Sequence, residues 1–287
     1  MTSSPVDDVR EYYDSNTRSF LRFGQGRGTG TIRRAIWAPG VATRSDAFHF
    51  VDAEIARRLE LAHASRTRII DLGCGIGGSL LWLAERFEIE GVGVTLSSVQ
   101  ARIGQELVRK HQEHHQLRGH VTIAAGDIHD FAPPHAQDAA ICIEAFALVP
   151  DASRFFRHVK KLLRAGGHLV LVDDFLAHDL ANEAEQQIAD DFRRGWRVKT
   201  LVTIDEAARL ARAEGLELVD QIDLTPFLEL GRPRDIVIRY LVRTMRLFPQ
   251  FPFARLPSVG NMVGGDALQR GLRSGTFSHR LGVFRAI

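Results

Sequence analysis

The feature that most constrains this chain is the run Asp71-Leu72-Gly73-Cys74-Gly75-Ile76-Gly77-Gly78. It stands between a short apolar run, 68–72, that reads as a buried strand and a stretch, 76–87, that reads as a helix. Glycines at such a junction let a ligand approach the backbone closely, and the helix N-terminus attracts negative charge. The alternation continues downstream. Residues 91–94, 121–125, 139–143 and 168–172 read as strands, and 97–117 and 152–163 as helices. Strand and helix in alternation build a parallel sheet with helices on its faces. The expected fold is therefore α/β with a mostly parallel sheet.

The flanks complete it. The N-terminal stretch carries Tyr12, Tyr13, Phe20, Phe23 and Trp37, with glycines at 24, 26, 28 and 30. A helix is expected near 6–21, then a glycine-rich loop. Ser45 is placed to cap a helix whose apolar residues, Phe48, Val51, Ile55 and Leu59, recur at helical spacing. Beyond Asp174, helices near 179–195 and 203–214 precede a strand at 216–222. Five prolines mark 225–275, read as a helical insertion before the last strand, 281–286. The sheet then has seven strands. Two units are expected: an N-terminal lid, 1–44, and a main domain, 45–287, with a helical cap at about 225–275.

Composition narrows the function classes. A formal charge of +2 and no long Lys/Arg block give no footprint for nucleic acid. No run approaches the ~18 apolar residues of a membrane span, and the first ten residues are too polar for a signal peptide. Cys74 and Cys142 fall in apolar segments that read as buried strand ends, so a reducing, cytoplasmic setting without disulfides is expected. The partner expected is a small apolar acceptor, and a homo-oligomer is compatible with the composition.

Two cofactors compete for the glycine loop. Gly73, Gly75 and Gly78 satisfy the dinucleotide spacing. Yet Asp71 would sit poorly beside a pyrophosphate, and the next strand ends in Val94-Thr95 without an acid to hold a nicotinamide ribose. S-adenosylmethionine (SAM) instead carries a sulfonium and an ammonium, and Asp71 suits the ammonium. Across 45–175 the motif order resembles the class I SAM-dependent methyltransferases, which have a Rossmann-like sheet. The motifs are Asp71 to Gly77, then Gly93-Val94-Thr95-Leu96-Ser97-Ser98-Val99-Gln100, Gly126-Asp127-Ile128, Ile143-Glu144-Ala145 and Leu163-Arg164-Ala165-Gly166-Gly167. The resemblance implies cofactor contacts from Asp71, Gly73, Gly75, Gly77, Thr95, Leu96, Gln100, Asp127 and Ile128. Thr-Leu-Ser followed by Gln resembles the branch of tocopherol methyltransferases and cyclopropane fatty-acid synthases, which assigns the ribose to Gln100. It also assigns the adenine amino group to Asp127 and the ring face to Ile128.

A narrower resemblance lies in Tyr12-Tyr13-Asp14, Thr17, Phe23-Gly24-Gln25-Gly26 and Ile143-Glu144-Ala145, which look like sterol and prenyl-diphosphate C-methyltransferases. It implies Tyr13 near the methionine moiety and methylation of an alkene in a small isoprenoid, prenyl diphosphate or terpenoid, through a carbocation. Where cyclopropane synthases place Glu-His this chain has Ala147-Leu148, which argues against cyclopropanation. Tyr12, Tyr13, Phe20, Phe23, Trp37, Phe146 and Trp196 are candidates for a cation-stabilising wall. Glu144 is read as a base, a substrate ligand or an orienter, against the alternative of a carboxylate paired with an Arg. Arg33 and Arg34, then Arg193, Arg194 and Arg197, are candidates to clamp a diphosphate; Mg²⁺ is expected only with such a substrate. Asp173-Asp174 and Asp190-Asp191 lack the spacing of a metal–diphosphate motif. His111, His114, His115 and His120 read as a solvated helix end, so no protein metal site is expected. The rival functions are O- or N-methylation of a secondary metabolite, a non-catalytic SAM-binding protein and, more distantly, a nicotinamide oxidoreductase.

Overall fold

Ile69, Ile70 and Leu72 are fully buried, on alternating faces of one strand, and that strand lies inside the sheet. The computed structural model describes residues 5–23, 33–246 and 257–287. In chain order the elements are α1 (Pro5–Phe23), α2 (Arg44–Arg58), β1 (Thr67–Leu72), α3 (Gly78–Arg86), β2 (Ile89–Thr95), α4 (Ser98–Glu113) and β3 (His120–Ala125). Then come β4 (Gln137–Ile143), α5 (Ala152–Leu162), β5 (Leu163–Leu176), α6 (Glu183–Trp196), α7 (Ile204–Ala213), β6 (Leu216–Asp223), α8 (Pro233–Arg246), α9 (Pro257–Ser274) and β7 (Phe277–Ala286).

The sheet order is β3-β2-β1-β4-β5-β7-β6. Only β7 runs against its neighbours. Strand order reverses between β1 and β4, and an open parallel sheet binds its ligand in the crevice outside the carboxyl ends there. One face packs Ile69, Ile141 and Val170 against α2, α3 and α4. The other packs Ile70, Ala140 and Leu171 against α5 and α7, with Phe155, Phe156 and Phe284. A third cluster joins α6 and α9 through Phe192, Leu268 and Phe277. Gly264 of α9 makes that approach close enough to seat Trp196, since a Cβ there would lie 2.3 Å from the indole Cδ1.

Several expectations change in detail. Thr43, not Ser45, caps α2: its extended backbone leaves the side chain free to accept from Asp46 N at 3.1 Å. Ser45 is already inside the helix. Cys142 is buried in β4, but Cys74 sits half-buried in the loop after β1 rather than in a strand. The glycine-rich loop at 24–30 and Pro249 and Pro252 lie outside the described residues. Among the described residues, no helix is long and apolar enough to cross a membrane.

Arg33 ties α2 to the start of α3. Its guanidinium binds Asp52, Ser79 Oγ at 3.1 Å and Phe48 O at 2.9 Å, all buried. Burial alone would raise the Asp52 carboxyl, but Arg33 and His49 together outweigh it and hold the group below the usual range. Removing one partner strands the other charge. Arg33→Met is expected to cost about 3 kcal/mol in urea denaturation; a loss below about 1 kcal/mol would show that water replaces the pair.

Candidate functional site

A cavity of about 370 Å³ opens at the carboxyl ends of the parallel strands. Its walls come from the glycine loop, the ends of β2 and β4, α1, α6, α8 and α9.

One end is built mainly from backbone. Gly73 has φ +92°, and a Cβ there would meet Ala145 Cβ at 2.4 Å, so only glycine fits the turn. Gly73 N and Cys74 N both donate to Val94 O, which folds the loop over β2. Gly75 faces open space, and both Gly73 and Gly75 line the cavity. Gly77 and Asp71 stand behind that wall. Asp71 is buried, and no hydrogen bond to its carboxylate is present among the described residues. Burial, then the nearby Asp52 charge, pushes it up to about 8, which Arg33 only partly offsets.

Thr95, Leu96 and Gln100 also line this end. Thr95 Oγ1 donates to Gln100 Oε1 at 2.7 Å, so the amide nitrogen is the part of Gln100 left to donate. Asp127, Ile128 and His129 form the adjoining wall. Asp127 Oδ1 accepts from His129 N at 2.9 Å and meets His129 Nδ1 at the same distance, and His129 holds the carboxyl below its usual range.

The other end is built from side chains. Asp14 of α1 accepts from Ser97 Oγ at 2.5 Å, beside the N-terminus of α4, and this places Tyr12 and Tyr13 in the cavity. Tyr12 donates to Asn261 Oδ1 at 2.5 Å and meets Tyr13 edge-on, with ring centroids 5.2 Å apart. Burial, followed by Tyr12 and the Asp173 and Glu144 carboxylates, holds the Tyr13 phenol far above its usual range, so it stays protonated. Phe192, Trp196, Val198 and Leu268 supply apolar wall.

Glu144 follows β4 with φ +51°, a left-handed conformation that costs a non-glycine residue on the order of 1 kcal/mol and that clusters at functional sites. Its Oε1 accepts from Arg34 N and Nε, each at 3.3 Å. Arg34 Nη2 donates to both oxygens of Asp174, at 2.8 and 2.9 Å. His279 of β7 places Nδ1 3.1 Å from Asp174 Oδ1, and its Nε2 is 3.9 Å from Glu144 Oε1. Asp173 accepts from Ala147 N and Asp174 N; burial, then the Asp174 charge, pushes it up to about 7.

The structure thus gathers Tyr12, Tyr13, Glu144, Trp196, Arg33 and Arg34 with Gly73, Gly75, Thr95, Leu96, Gln100, Asp127 and Ile128 in one cavity. It corrects other expectations. Arg33 and Arg34 reach the cavity with their guanidiniums paired to internal carboxylates, Asp52 for Arg33 and Glu144 and Asp174 for Arg34, and Arg34 Nη1 has no hydrogen-bond partner among the described residues. Arg193 and Arg194 pair with Asp190 and Asp191, away from the cavity. Phe146 is fully buried against Phe155, Phe156 and Phe175, and Trp37 is 38% exposed outside the cavity. The Phe23 and Phe20 side chains lie outside the described residues. Sequence reasoning missed His279, Asn261 and Phe192. His279 faces Asp174 only through the antiparallel β5–β7 register, which no local pattern announces.

Residues 43–221 match the methyltransferase domain family. The chain belongs to that family. The polyketide synthase ThaQ of Burkholderia thailandensis is 29% identical over 163 residues, 56% of this chain and 7% of the synthase. The chloroplastic tocopherol O-methyltransferase of Arabidopsis thaliana is 26% identical over 155 residues, 52% of this chain and 44% of that protein. The chain therefore spans less than half the length of either relative. The fold is shared with a geranyl diphosphate C-methyltransferase from Streptomyces coelicolor A3(2), solved with Mg²⁺, geranyl diphosphate and S-adenosyl-L-homocysteine; the TM-score is 0.67 at 16% identity, covering 100% and 99% of the two chains.

The family's cofactor is SAM. The cavity fits it: a glycine cradle opens onto space, and a buried carboxylate beneath lacks a cationic partner of its own. Ordinary aspartates titrate near 4, so Asp71 contributes stability that is full below about pH 4 and lost as pH rises through about 8. An ammonium ligand prefers the ionised form. SAM binding should therefore release a proton near pH 7, and affinity should rise about tenfold per pH unit up to about pH 8. Calorimetry in two buffers checks this. In Asp71→Asn, SAM should bind at least about tenfold more weakly, without this pH slope; an unchanged slope would place the titrating group elsewhere.

Proposed function

We propose that the protein transfers a methyl group from SAM to an alkene carbon of a small, uncharged isoprenoid, and that Glu144 takes up the proton then lost. The carrying observation is a cavity that runs from the glycine loop to an aromatic and apolar chamber, with Glu144 among its walls. When bound, SAM supplies an electrophilic methyl group on a positive sulfur. In this reading Asp71 pairs with the ammonium, and Gly73, Gly75 and Gly77 shape the loop around the methionine moiety with Tyr13 across from it. Thr95, Leu96 and Gln100 hold the ribose side, Asp127 accepts from the adenine amino group, and Ile128 packs on the ring.

Attack by the alkene would form the new carbon–carbon bond as the methyl–sulfur bond breaks, its electron pair staying on the departing sulfur, and would leave a cation on the acceptor. The faces of Tyr13 and Trp196 stabilise it, and the apolar wall keeps water away. A C–H bond next to the cation breaks; its electron pair becomes the new double bond and its proton goes to Glu144. Arg34 holds that carboxylate in place.

The acceptor is read as uncharged because three of the four arginines that line the cavity, Arg33, Arg34 and Arg232, are each paired with a carboxylate; Arg234 is the fourth. Asp173 also lines the cavity, accepts only from backbone N–H groups among the described residues and adds a carboxyl that disfavours a free diphosphate. Among the described residues, no three His, Cys, Asp or Glu side chains stand together as metal ligands. A second reading, O-methylation, draws support from Asp173: a carboxyl that titrates near 7 suits a general base for a hydroxyl.

Turnover with methyl-deuterated SAM separates these readings. The acceptors are neutral terpenoid alkenes, prenyl diphosphates with and without Mg²⁺, and phenols, with the labelled atom located by NMR. Label on a terpenoid carbon is expected. Glu144→Gln should lower kcat about a hundredfold with SAM affinity unchanged. Label on oxygen, lost in Asp173→Asn, would put the second reading first; turnover of diphosphates alone would refute the uncharged acceptor.

A further inference from the structure

The outward face of α8 is unusually apolar for a helix that roofs a polar-rimmed cavity. Ile236, Val237, Tyr240 and Leu241 are 43, 58, 65 and 48% exposed. These are four of the seven large apolar side chains exposed among the described residues, gathered within six positions. Their spacing puts them in one stripe along the helix. The opposite face points inward: Val242 is buried, and Asp235 and Ile238 line the cavity. The helix is therefore amphipathic toward the cavity and apolar toward the outside as well.

The charges on α8 are ordered around that stripe. At about 100° per residue, Arg239 and Arg243 fall along one edge and Arg234, which also lines the cavity, along the other. Arg234 and Arg243 are exposed, and Arg239 is partly so, 3.7 Å from Asp266. The one acid on the helix, Asp235, is buried and paired with Arg232. An apolar stripe between guanidinium edges fits the boundary between headgroups and acyl chains in an anionic bilayer. A tyrosine at its centre suits that interface. A second copy of the chain fits poorly, because a two-fold contact through this stripe would bring the arginine edges of both copies together.

We infer that the outward stripe of α8 docks the protein on anionic phospholipid membrane surfaces, with the cavity lying directly beneath the docked helix. The inference concerns where the enzyme works and stands apart from which atom it methylates, since binding is read without turnover.

The test is co-sedimentation of the full chain with vesicles of phosphatidylcholine alone or containing about 30% phosphatidylglycerol. The wild type should bind the anionic vesicles at least about tenfold more tightly, and salt should weaken binding. Tyr240→Ser with Leu241→Ser, and separately Arg243→Glu, should each lose about tenfold while SAM affinity and Tm hold. Hydrogen exchange on the wild type supplies a readout that needs no variant: anionic vesicles should protect α8. No preference for anionic vesicles, protection confined to other elements, or a dimer that dissolves in the double variant would each overturn the inference.

Discussion

The acceptor half of the cavity depends on one guanidinium. Arg34 binds Glu144 after β4 and Asp174 on β5, and His279 on β7 completes the cluster. Three strand ends and the N-terminal segment meet at one buried charge. Burial alone would lower the Arg34 pKa, but Asp174 and Glu144 outweigh it and keep the group protonated. Such a cluster adds little net stability, because desolvation cancels much of the attraction, yet losing one member leaves a stranded charge. What it supplies is position. Glu144 is held in a left-handed conformation with its Oε1 accepting from the Arg34 backbone and side chain, and Asp173, beside Asp174, is left with a carboxyl that titrates near neutrality.

The two halves of the cavity are made differently, and that decided what could be read from the residues. The cofactor half is backbone geometry: a strand, a tight glycine turn and a helix N-terminus within a few residues of one another. Such features write themselves locally, so the segments that supply Gly73, Gly75, Thr95, Leu96, Gln100, Asp127 and Ile128 to one end of the cavity were legible, while the place of Asp71 and Gly77 behind that wall was not. The strand–helix alternation was legible for the same reason, and errors fell at boundaries, as where Thr43 and Ser45, two capping types side by side, exchanged roles.

The acceptor half is side chains brought from far apart. Arg33 and Arg34 have the same look in sequence, but the partners that engage them stand up to 46 and up to 245 positions away. Phe146 follows Glu144 by two positions, yet the 3-10 turn it opens sends its ring into the core against Phe155 and Phe156. Trp37 pairs its backbone with Phe227 O and leaves its ring outside. None of these outcomes follows from local pattern. The two halves are joined by α1, through Asp14 on Ser97 at the cofactor end and Tyr12 on Asn261 at the acceptor end.

The most direct measurement of the central claim, that one cavity presents the cofactor's sulfur to the acceptor chamber, is a crystal structure with S-adenosylhomocysteine. The expected result is an adenine against Ile128 and Asp127, an ammonium near Asp71 and a sulfur facing the space between Glu144 and Trp196. A sulfur turned to bulk solvent, or a ligand seated outside this cavity, would contradict it.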